Sequence, residues 1–286
     1  MSNNFLSCGF RSVFFLALPF MGACSWAGQI AKDGVEGATS YYSSDHFTLV
    51  ATVPANFGFT SKAQYSPRAG KECKTYVSAL GGEVTRHQQK TDEISAKPTQ
   101  QTARFNIPLE YHIAGCTMDL THVGTDIEGR YGPSSLDLGG DGGGITIRDT
   151  EPTNTSTSGV KNDEEFLGLC TWMFQLSVAR IQKDGISKIL SCSAADNNWN
   201  VPSDYFSRSK PGGSIIRPRL KNKEIKMTLR ISDEEEPSMD NRWIKTPKGW
   251  KPCQGTEKSN RCQTPPTFKN FKINGRECTV YPNCTE

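Results

Sequence analysis

The sequence is poor in the patterns on which common enzyme chemistry depends. It has only four histidines, His46, His87, His112 and His122, and no Gly-x-Ser-x-Gly motif. Lipase-type hydrolases place their nucleophile in that motif, at a sharp turn between a strand and a helix, and this chain offers no candidate for it. Cys-x-x-Cys pairs are also lacking, which argues against a zinc site. We predict no catalytic residue, no metal site and no cofactor.

Long apolar runs are lacking as well. The N-terminal apolar stretch extends from Val13 to Phe20, about eight residues, whereas a membrane-spanning helix needs about 20. It follows Arg11 and precedes small residues, which is the pattern of an export signal. We therefore predict a signal peptide over residues 1–27, removed by ordinary cleavage after Ala27 or by the alternative route below.

The alternative route is lipidation. Met21-Gly22-Ala23-Cys24 resembles a bacterial lipobox, in which the cysteine receives the lipid and becomes the new N-terminus, although Met stands at the position that Leu usually holds. Ser25 follows, and in bacterial lipoproteins a serine there accompanies delivery to the outer membrane. Cys24 is therefore a lipidation candidate. Both routes predict a periplasmic protein, and attached lipid chains would anchor it to the outer membrane.

The charge balance lacks a strong excess of either sign. The 33 basic and 30 acidic residues give a net charge of +3, and loss of Arg11 with the signal leaves +2. Because nucleic-acid binding needs a basic patch or stripe, we predict no nucleic-acid partner. The 26 glycines and 16 prolines favour short strands joined by many turns.

Cysteine, in contrast, is plentiful. Removal of Cys8 and Cys24 leaves eight cysteines, and an even number in an exported chain indicates disulfides. Many pairings are compatible with the sequence. We predict pairing in sequence order, because the flanking segments resemble adjacent strands and the last four cysteines lie in turn-rich sequence. The predicted pairs are Cys73–Cys116, Cys170–Cys192, Cys253–Cys262 and Cys278–Cys284.

The hydrophobic pattern predicts a mainly β fold with two β-sandwich-like parts stabilised by disulfides. Ile225–Ser232 alternates apolar and polar residues most regularly. Gly168–Val178 and Ile186–Ala194 predict a hairpin around Lys183-Asp184-Gly185. Other alternating or β-branched runs predict strands at Phe47–Val53, Lys74–Ser78, Thr102–Ile113, Thr117–Val123, Thr125–Tyr131 and Gly144–Arg148.

A polar segment suggests a domain boundary. Residues 151–163 (EPTNTSTSGVKND) are nearly devoid of large apolar side chains, which predicts a linker or long loop. It would separate an N-terminal β-rich domain, 28–150, from a C-terminal β-rich domain, 164–286, with a cysteine-rich tail. The glycine-rich segment Gly139–Gly144 (GGDGGG) lacks the Gly-Lys-Ser/Thr of a phosphate-binding loop, and we predict a wide hairpin loop there. The alternative is close approach by the backbone of a partner.

Two features qualify as partner-binding candidates. The acidic run Asp233, Glu234, Glu235 and Glu236 lacks the alternating spacing of a calcium loop, and it predicts either a solvated turn ended by Pro237 or a patch that meets a basic partner. Trp243 and Trp250 flank a turn-like stretch. Tryptophan is enriched at binding hot spots, and the alternative is that both pack on the sheet and close the core.

The ordered segments YSPRAGKEC, FNIPLEYHIAGC, VGTDIEGRYG, GLCTWMF, ISKILSC, EIKMTLRISDEEEP, GWKPC and CTVYPNC span most of the mature chain. In these segments the sequence resembles a group of exported hypothetical proteins of Pseudomonas-like bacteria that are encoded beside phospholipase effectors of the type VI secretion system. The resemblance implies an immunity protein, which binds and inhibits a lipase or phospholipase delivered into the periplasm. It carries over no catalytic or binding residue.

Two other function classes stay open at this point. An envelope lipoprotein with a structural or assembly role would share the export signal and the disulfides but have no toxin partner. A hydrolase with a dispersed site would depend on histidines such as His87, His112 and His122. We expect a non-enzymatic inhibitor, whose requirements are export, a stable scaffold and a complementary surface.

Overall fold

The computed structural model describes residues 37–70, 72–150, 165–175, 187–238 and 241–284. It contains 58% strand and 5% helix, which confirms the predicted mainly β class. The chain divides into two compact units, Met1–Ser40 and Tyr41–Glu286. The predicted signal peptide, Cys24, the linker at 151–163 and the turn at Lys183-Asp184-Gly185 lie outside the described residues.

The second unit is built from short and medium strands, as the abundance of glycine and proline suggests. In chain order the strands are β1 (Tyr41–Tyr42), β2 (His46–Val53), β3 (Phe57–Pro67), β4 (Lys74–Val77), β5 (Gly82–Thr85), β6 (Gln88–Ile94), β7 (Gln101–Pro108), β8 (Glu110–Ile113), β9 (Cys116–Arg130), β10 (Leu138–Arg148), β11 (Glu165–Gln175), β12 (Ser187–Ala194), β13 (Gly212–Ile216), β14 (Glu224–Ile231), β15 (Glu236–Pro237), β16 (Trp243–Thr246), β17 (Gly249–Pro252), β18 (Phe271–Ile273) and β19 (Arg276–Cys278). Short 3₁₀ turns lie at Ser78–Leu80, Tyr205–Ser207 and Arg217–Arg219.

Two large sheets organise these strands. The first has the order β1-β8-β9-β10-β13, with β3 beside β9 and β6 beside β3. The second has the order β12-β11-β14-β2-β7, with β15 beside β11. Most neighbours are antiparallel, but β14 runs parallel to both β2 and β11, β15 runs parallel to β11, and β13 runs parallel to β10. Three two-stranded sheets, β4-β5, β16-β17 and β18-β19, complete the described architecture.

The two large sheets enclose one hydrophobic core, so the main body is a β-sandwich. Alternate residues of several strands point inward, for example Phe47 and Leu49 of β2 and Ile127 of β9, which are at most 1% exposed. The regular alternation of Ile225–Ser232 is confirmed, because Met227 and its apolar neighbours in β14 are buried while Lys226 is exposed. Burial of each large apolar side chain contributes about 1.5–3 kcal/mol.

The predicted division into domains 28–150 and 164–286 does not follow the sheets. The second sheet places β2 and β7, from before the predicted boundary, beside β14, from after it. The first sheet takes β13 from the later half. The polar segment 151–163 and the cysteine pairs in each half suggested two parts, and neither feature reveals which distant strands pair.

The glycine-rich segment Gly139–Gly144 lies within strand β10, so the wide hairpin loop predicted there is wrong. Its glycines allow close packing. A Cβ added at Gly139 would lie 2.7 Å from the Trp172 ring and 2.9 Å from the backbone nitrogen of Leu190. Side chains there would push the second sheet away from the first.

Asp141, in the same strand, ties the first sheet to the free edge of the second. Its carboxylate accepts a hydrogen bond from the backbone N–H of Cys192 at 2.5 Å, and Lys210 donates to it at 2.6 Å. Two positions further along β12, the N–H of Ala194 donates to the carbonyl of Ser209 at 2.7 Å. The outward backbone donors at these two edge positions are therefore both satisfied.

All four predicted disulfides are present. Cys170 and Cys192 lie directly opposite each other in the β11–β12 hairpin, and Cys73 is joined to Cys116 at the start of β9. The other two bonds, Cys253–Cys262 and Cys278–Cys284, close loops with sequence separations of 9 and 6 residues. The hairpin predicted around residues 183–185 is confirmed in its two strands.

Residues 241–284, which we call the C-terminal module, contain only the two small sheets β16-β17 and β18-β19. A hydrophobic cluster of its buried side chains forms around Phe174 from the end of β11 and contains Trp243, Phe271, Cys278 and Tyr281. The module therefore packs on one strand end of the sandwich through a small aromatic core.

Candidate functional site

The predicted acidic patch is largely paired within the molecule. Glu234 lies 2.5 Å from Lys245, Glu235 lies 2.5 Å from Lys188, and Glu236 lies 3.3 Å from Arg208. Each pair joins a carboxylate oxygen to a basic nitrogen. Because three of the four acidic residues already have a basic neighbour, this run presents much less negative charge to a partner than its sequence suggests.

The two tryptophans of the predicted patch belong mainly to the interior of the C-terminal module. Trp243 is 8% exposed and packs edge-on against Phe174, with ring centroids 4.8 Å apart. Trp250 is half-buried, and its Nε1 donates a hydrogen bond to the Glu235 carbonyl at 3.0 Å. The Trp243 ring takes part in this small core, which is the alternative that the sequence left open, and its role in partner binding stays a prediction.

Glu235 joins the module to the sandwich through a set of contacts that we call the Glu235 clasp. Its carboxylate pairs with Lys188 of β12 and accepts a hydrogen bond from the Tyr281 hydroxyl. Burial raises the pKa of Tyr281 well above its ordinary range, and the neighbouring Glu235 raises it further. The Tyr281 hydroxyl therefore stays protonated and remains a donor.

The four histidines do not gather into one site. The Nδ1 of His87 lies 3.4 Å from the Ser66 hydroxyl, a long and exposed contact, and no carboxylate bonds His87 in the described part of the chain. His112 lies 3.2 Å from Glu110 and stacks on Tyr41. The Thr117 hydroxyl lies 3.3 Å from the Nδ1 of His112, directly opposite it in the β8–β9 pair, so a hydroxyl and a carboxylate both flank this ring. Hydrolytic catalysis needs a nucleophile, a base and an orienting acid together.

His122 occupies the outer face of the first sheet, where glycines make room for its ring. A Cβ added at Gly144 would lie 2.8 Å from that ring, and Gly124 is the other glycine beneath it. Burial lowers the pKa of His122 below its ordinary value of 6.5. The ring is therefore neutral at neutral pH and packs as part of the sheet surface.

A groove on the outer face of the first sheet was not foreseen from the sequence. It encloses about 770 Å³ along β3, β9 and β10. Gly140 and Gly142 lie in its floor, and a Cβ added at Gly140 would meet nothing nearer than 3.7 Å. Acidic side chains, including Glu93 and the half-exposed Asp126 and Glu128, line its sides.

Basic residues partly balance the acidic lining of this groove. Lys62 pairs with Asp126, and Arg130 lies 3.9 Å from Glu128. Both pairs are substantially exposed, and such pairs contribute only about 0–1 kcal/mol. The groove is thus an open, polar depression, and the described residues contain no group of three His, Cys, Asp or Glu side chains that could hold a metal ion.

The hairpin formed by β4 and β5, which we call the projecting hairpin, is the second surface feature. Among the described residues, its strands pair only with each other. Leu80 at its tip is 71% exposed and Tyr76 is 47% exposed. The sequence contains a signal for this hairpin tip, the apolar pair Ala79-Leu80 followed by Gly81-Gly82. The alternation in Lys74–Ser78 predicted a strand, but it did not show that this strand and its partner pair with neither large sheet.

No protein-family model matches the chain, and neither does any curated protein or solved structure. Among the described residues, no helix has the length and apolar character needed to cross a membrane. The four disulfides indicate an oxidising, extracytoplasmic environment.

Proposed function

We propose that this protein is a periplasmic immunity protein that binds and inhibits a lipase or phospholipase effector of the type VI secretion system and so protects the producing cell. The proposal combines the resemblance of the sequence with the structural character of the chain. An inhibitor of this kind acts by covering the substrate entrance of the enzyme or by blocking the opening of its lid.

The observation that carries the proposal is a sandwich cross-linked by disulfides that presents two accessible surface features. The projecting hairpin is anchored by the Cys73–Cys116 bond, and the groove has a floor of strand backbone. Rigid elements bind with a small loss of conformational entropy, which favours tight inhibition. A stable inhibitor interface of standard size buries at least about 1,200 Å² in total.

The proposed location follows from the same reasoning. An oxidising compartment is supported by the disulfides, and the periplasm is the compartment in which such an effector would act. Lipidation of Cys24 would hold the inhibitor beside the membrane that the enzyme attacks, because two or more acyl chains make a stable anchor. Ordinary cleavage after Ala27 would instead leave the inhibitor free in the periplasm.

The test starts with the full chain, expressed with its own N-terminus and purified from the bacterial envelope. This protein is used to capture partners from a lysate of the source bacterium, and bound proteins are identified by mass spectrometry. A captured lipase is then purified and assayed on phosphatidylglycerol in mixed micelles. We expect stoichiometric capture and near-complete inhibition at one equivalent of the protein.

The contrary outcomes of this experiment are well defined. Capture of envelope-assembly proteins without a lipase would favour the structural class, and hydrolysis of phospholipid by the protein alone would favour the enzyme class. A captured lipase that retains full activity in the complex would also overturn the inhibitor proposal, because binding without inhibition does not protect the cell.

A further inference from the structure

The projecting hairpin carries exposed apolar side chains on a base fixed to the sandwich. Cys73, immediately before β4, is 2% exposed and forms its disulfide with Cys116 of the first sheet. The backbone N–H of Arg86, immediately after β5, donates to the carbonyl of Cys73 at 2.8 Å. The two ends of the hairpin are therefore held together at a buried point of the main body.

The chain that enters the hairpin is fixed as well. Arg68 donates from Nε and Nη2 to the carboxylate of Asp119 through three hydrogen bonds, the shortest at 2.7 Å, and donates one to Glu110 at 2.5 Å. These contacts raise the pKa of Arg68, with the Asp119 hydrogen bond as the largest cause. A bidentate guanidinium–carboxylate pair adds geometric precision beyond that of a single ion pair.

The tip of the hairpin, in contrast, touches little. A Cβ added at Gly81 or Gly82 would find no atom within 4 Å. Tyr76 and Leu80 lie on this open end, and the described residues include no ring contact to Tyr76. A rigid convex element with an apolar tip is complementary to a concave apolar recess, since burial of such side chains is favourable only where the recess excludes water.

The charge of the hairpin favours a protein recess over a lipid surface. Residues 72–87 contain two acidic side chains, Glu72 and Glu83, and two basic ones, Lys74 and Arg86. Glu72 also pairs with Lys74 at 3.0 Å. Segments that bind anionic membranes combine apolar side chains with an excess of Lys and Arg, and the described part of this hairpin has no such excess.

We propose that the projecting hairpin inserts its exposed tip residue Leu80 into the acyl-chain entrance of the phospholipase, with the exposed Tyr76 of β4 adding apolar surface. This inference rests on the proposed function and specifies the contact through which it operates. An enzyme that cleaves long-chain phospholipids must offer an apolar recess to the acyl chain, and an apolar tip that fills this recess excludes the substrate. Inhibition is then competitive with respect to long-chain substrate.

The test compares two exposed leucines in the full-length protein. Leu80→Asp places a charge at the hairpin tip, and Leu136→Asp does the same at a leucine that is 83% exposed in the turn between β9 and β10. Binding to the purified lipase and inhibition on phosphatidylglycerol micelles are measured for both. We expect Leu80→Asp to weaken binding by about tenfold or more and Leu136→Asp by less than about threefold.

A second measurement does not depend on loss of binding. A photo-cross-linking amino acid at position 80 should attach to the lipase, and long-chain phospholipid should reduce the cross-link, whereas the same label at position 136 should give none.

Equal affinities of the two Asp variants would overturn the hairpin proposal while inhibition by the wild type still upheld the proposed function. If Leu80→Asp abolishes binding to phosphatidylglycerol vesicles but leaves the affinity for the lipase unchanged, the hairpin contacts a membrane and the hairpin proposal is overturned. Failure of the wild type to inhibit any captured lipase would overturn both.

Discussion

The sandwich and the C-terminal module achieve stability in different ways. Among the described residues, the main core contains 27 buried side chains contributed by both large sheets, whereas the core of the module contains five, one of which is Phe174 of the sandwich. Each region carries two disulfides. A small region buries too little apolar surface to offset its conformational entropy, so cross-links contribute a larger share of its stability.

Equal numbers of disulfides therefore have unequal roles in the two regions. In the β11–β12 hairpin, the Cys170–Cys192 bond lies among strands that already share eight paired positions. In the module, Cys253–Cys262 lies in turn-rich chain beside strands of four residues or fewer. The sandwich should keep its fold without Cys170–Cys192, whereas the module should lose its fold without Cys253–Cys262.

The largest difference is expected from truncating one phenylalanine in each core. Phe47→Ala removes a fully buried ring from the sandwich and should lower the free energy of unfolding by about 3–5 kcal/mol. Phe271→Ala, at a ring that is 8% exposed, should open the module and leave the sandwich folded. Denaturant unfolding and amide hydrogen exchange distinguish the two results. A global transition shifted equally by both variants would show that the regions unfold as one unit.

Removing one disulfide from each region sharpens the comparison. From loop length alone, Cys170→Ser/Cys192→Ser should cost about 3 kcal/mol and Cys253→Ser/Cys262→Ser about 2–3 kcal/mol. We nevertheless expect hydrogen-exchange protection to be lost throughout 241–284 only in the second variant. Retained protection of Trp243 and its neighbours in that variant would contradict the idea that this module depends on its cross-links.

The Glu235 clasp connects the two regions, and Tyr281→Phe tests it. Loss of the hydroxyl leaves the partly buried Glu235 carboxylate with one donor fewer and should cost about 1–2 kcal/mol of module stability. Thr279→Val is not a suitable control, because the Thr279 hydroxyl is buried. Tyr205→Phe is a suitable control because Tyr205 is 42% exposed, and this variant should leave the unfolding midpoint unchanged. Equal midpoints for the Tyr281→Phe variant and the wild type would show that the clasp contributes nothing.

The smallest effect is a pH dependence confined to the sandwich. Because the folded protein lowers the pKa of His122 below 6.5, the unfolded chain binds this proton more readily. Stability from this residue is therefore present above about pH 6.5 and declines as the pH falls toward the folded pKa. His122→Gln should flatten the stability profile of the sandwich below about pH 6.5, measured by denaturant unfolding. An unchanged slope in the variant would exclude His122 as its source.

Much of the local structure was predictable from the sequence. Strand β14 followed from strict alternation and the β11–β12 hairpin from two apolar runs. The cysteine pairs followed from segments that resemble adjacent strands and, for the last four cysteines, from turn-rich sequence. These features depend on neighbours that are close in sequence or on a strong periodic signal. Such features can therefore be recognised from the residue pattern of short stretches of sequence.

Features that depend on distant partners were not predictable. The parallel pairing of β14 with β2 joins residues about 180 positions apart, and nothing in either strand specifies the other. The glycines of β10 indicated a loop because their actual cause, the Trp172 ring from the opposite sheet, is visible only in three dimensions. Likewise, the sequence left Trp243 open between a contact surface and a core position, and its ring contacts with Phe174 and Phe271 are visible only in three dimensions.

The carboxylate of Asp141 has a consequence for the behaviour of the protein at high concentration. An edge strand with free N–H groups is a template on which a second chain can add a strand, which leads to aggregation. At β12 the N–H of Cys192 is already bonded to Asp141 and that of Ala194 to Ser209. A single acidic residue set among glycines thus helps to keep one copy of the protein from joining another through its sheet edge.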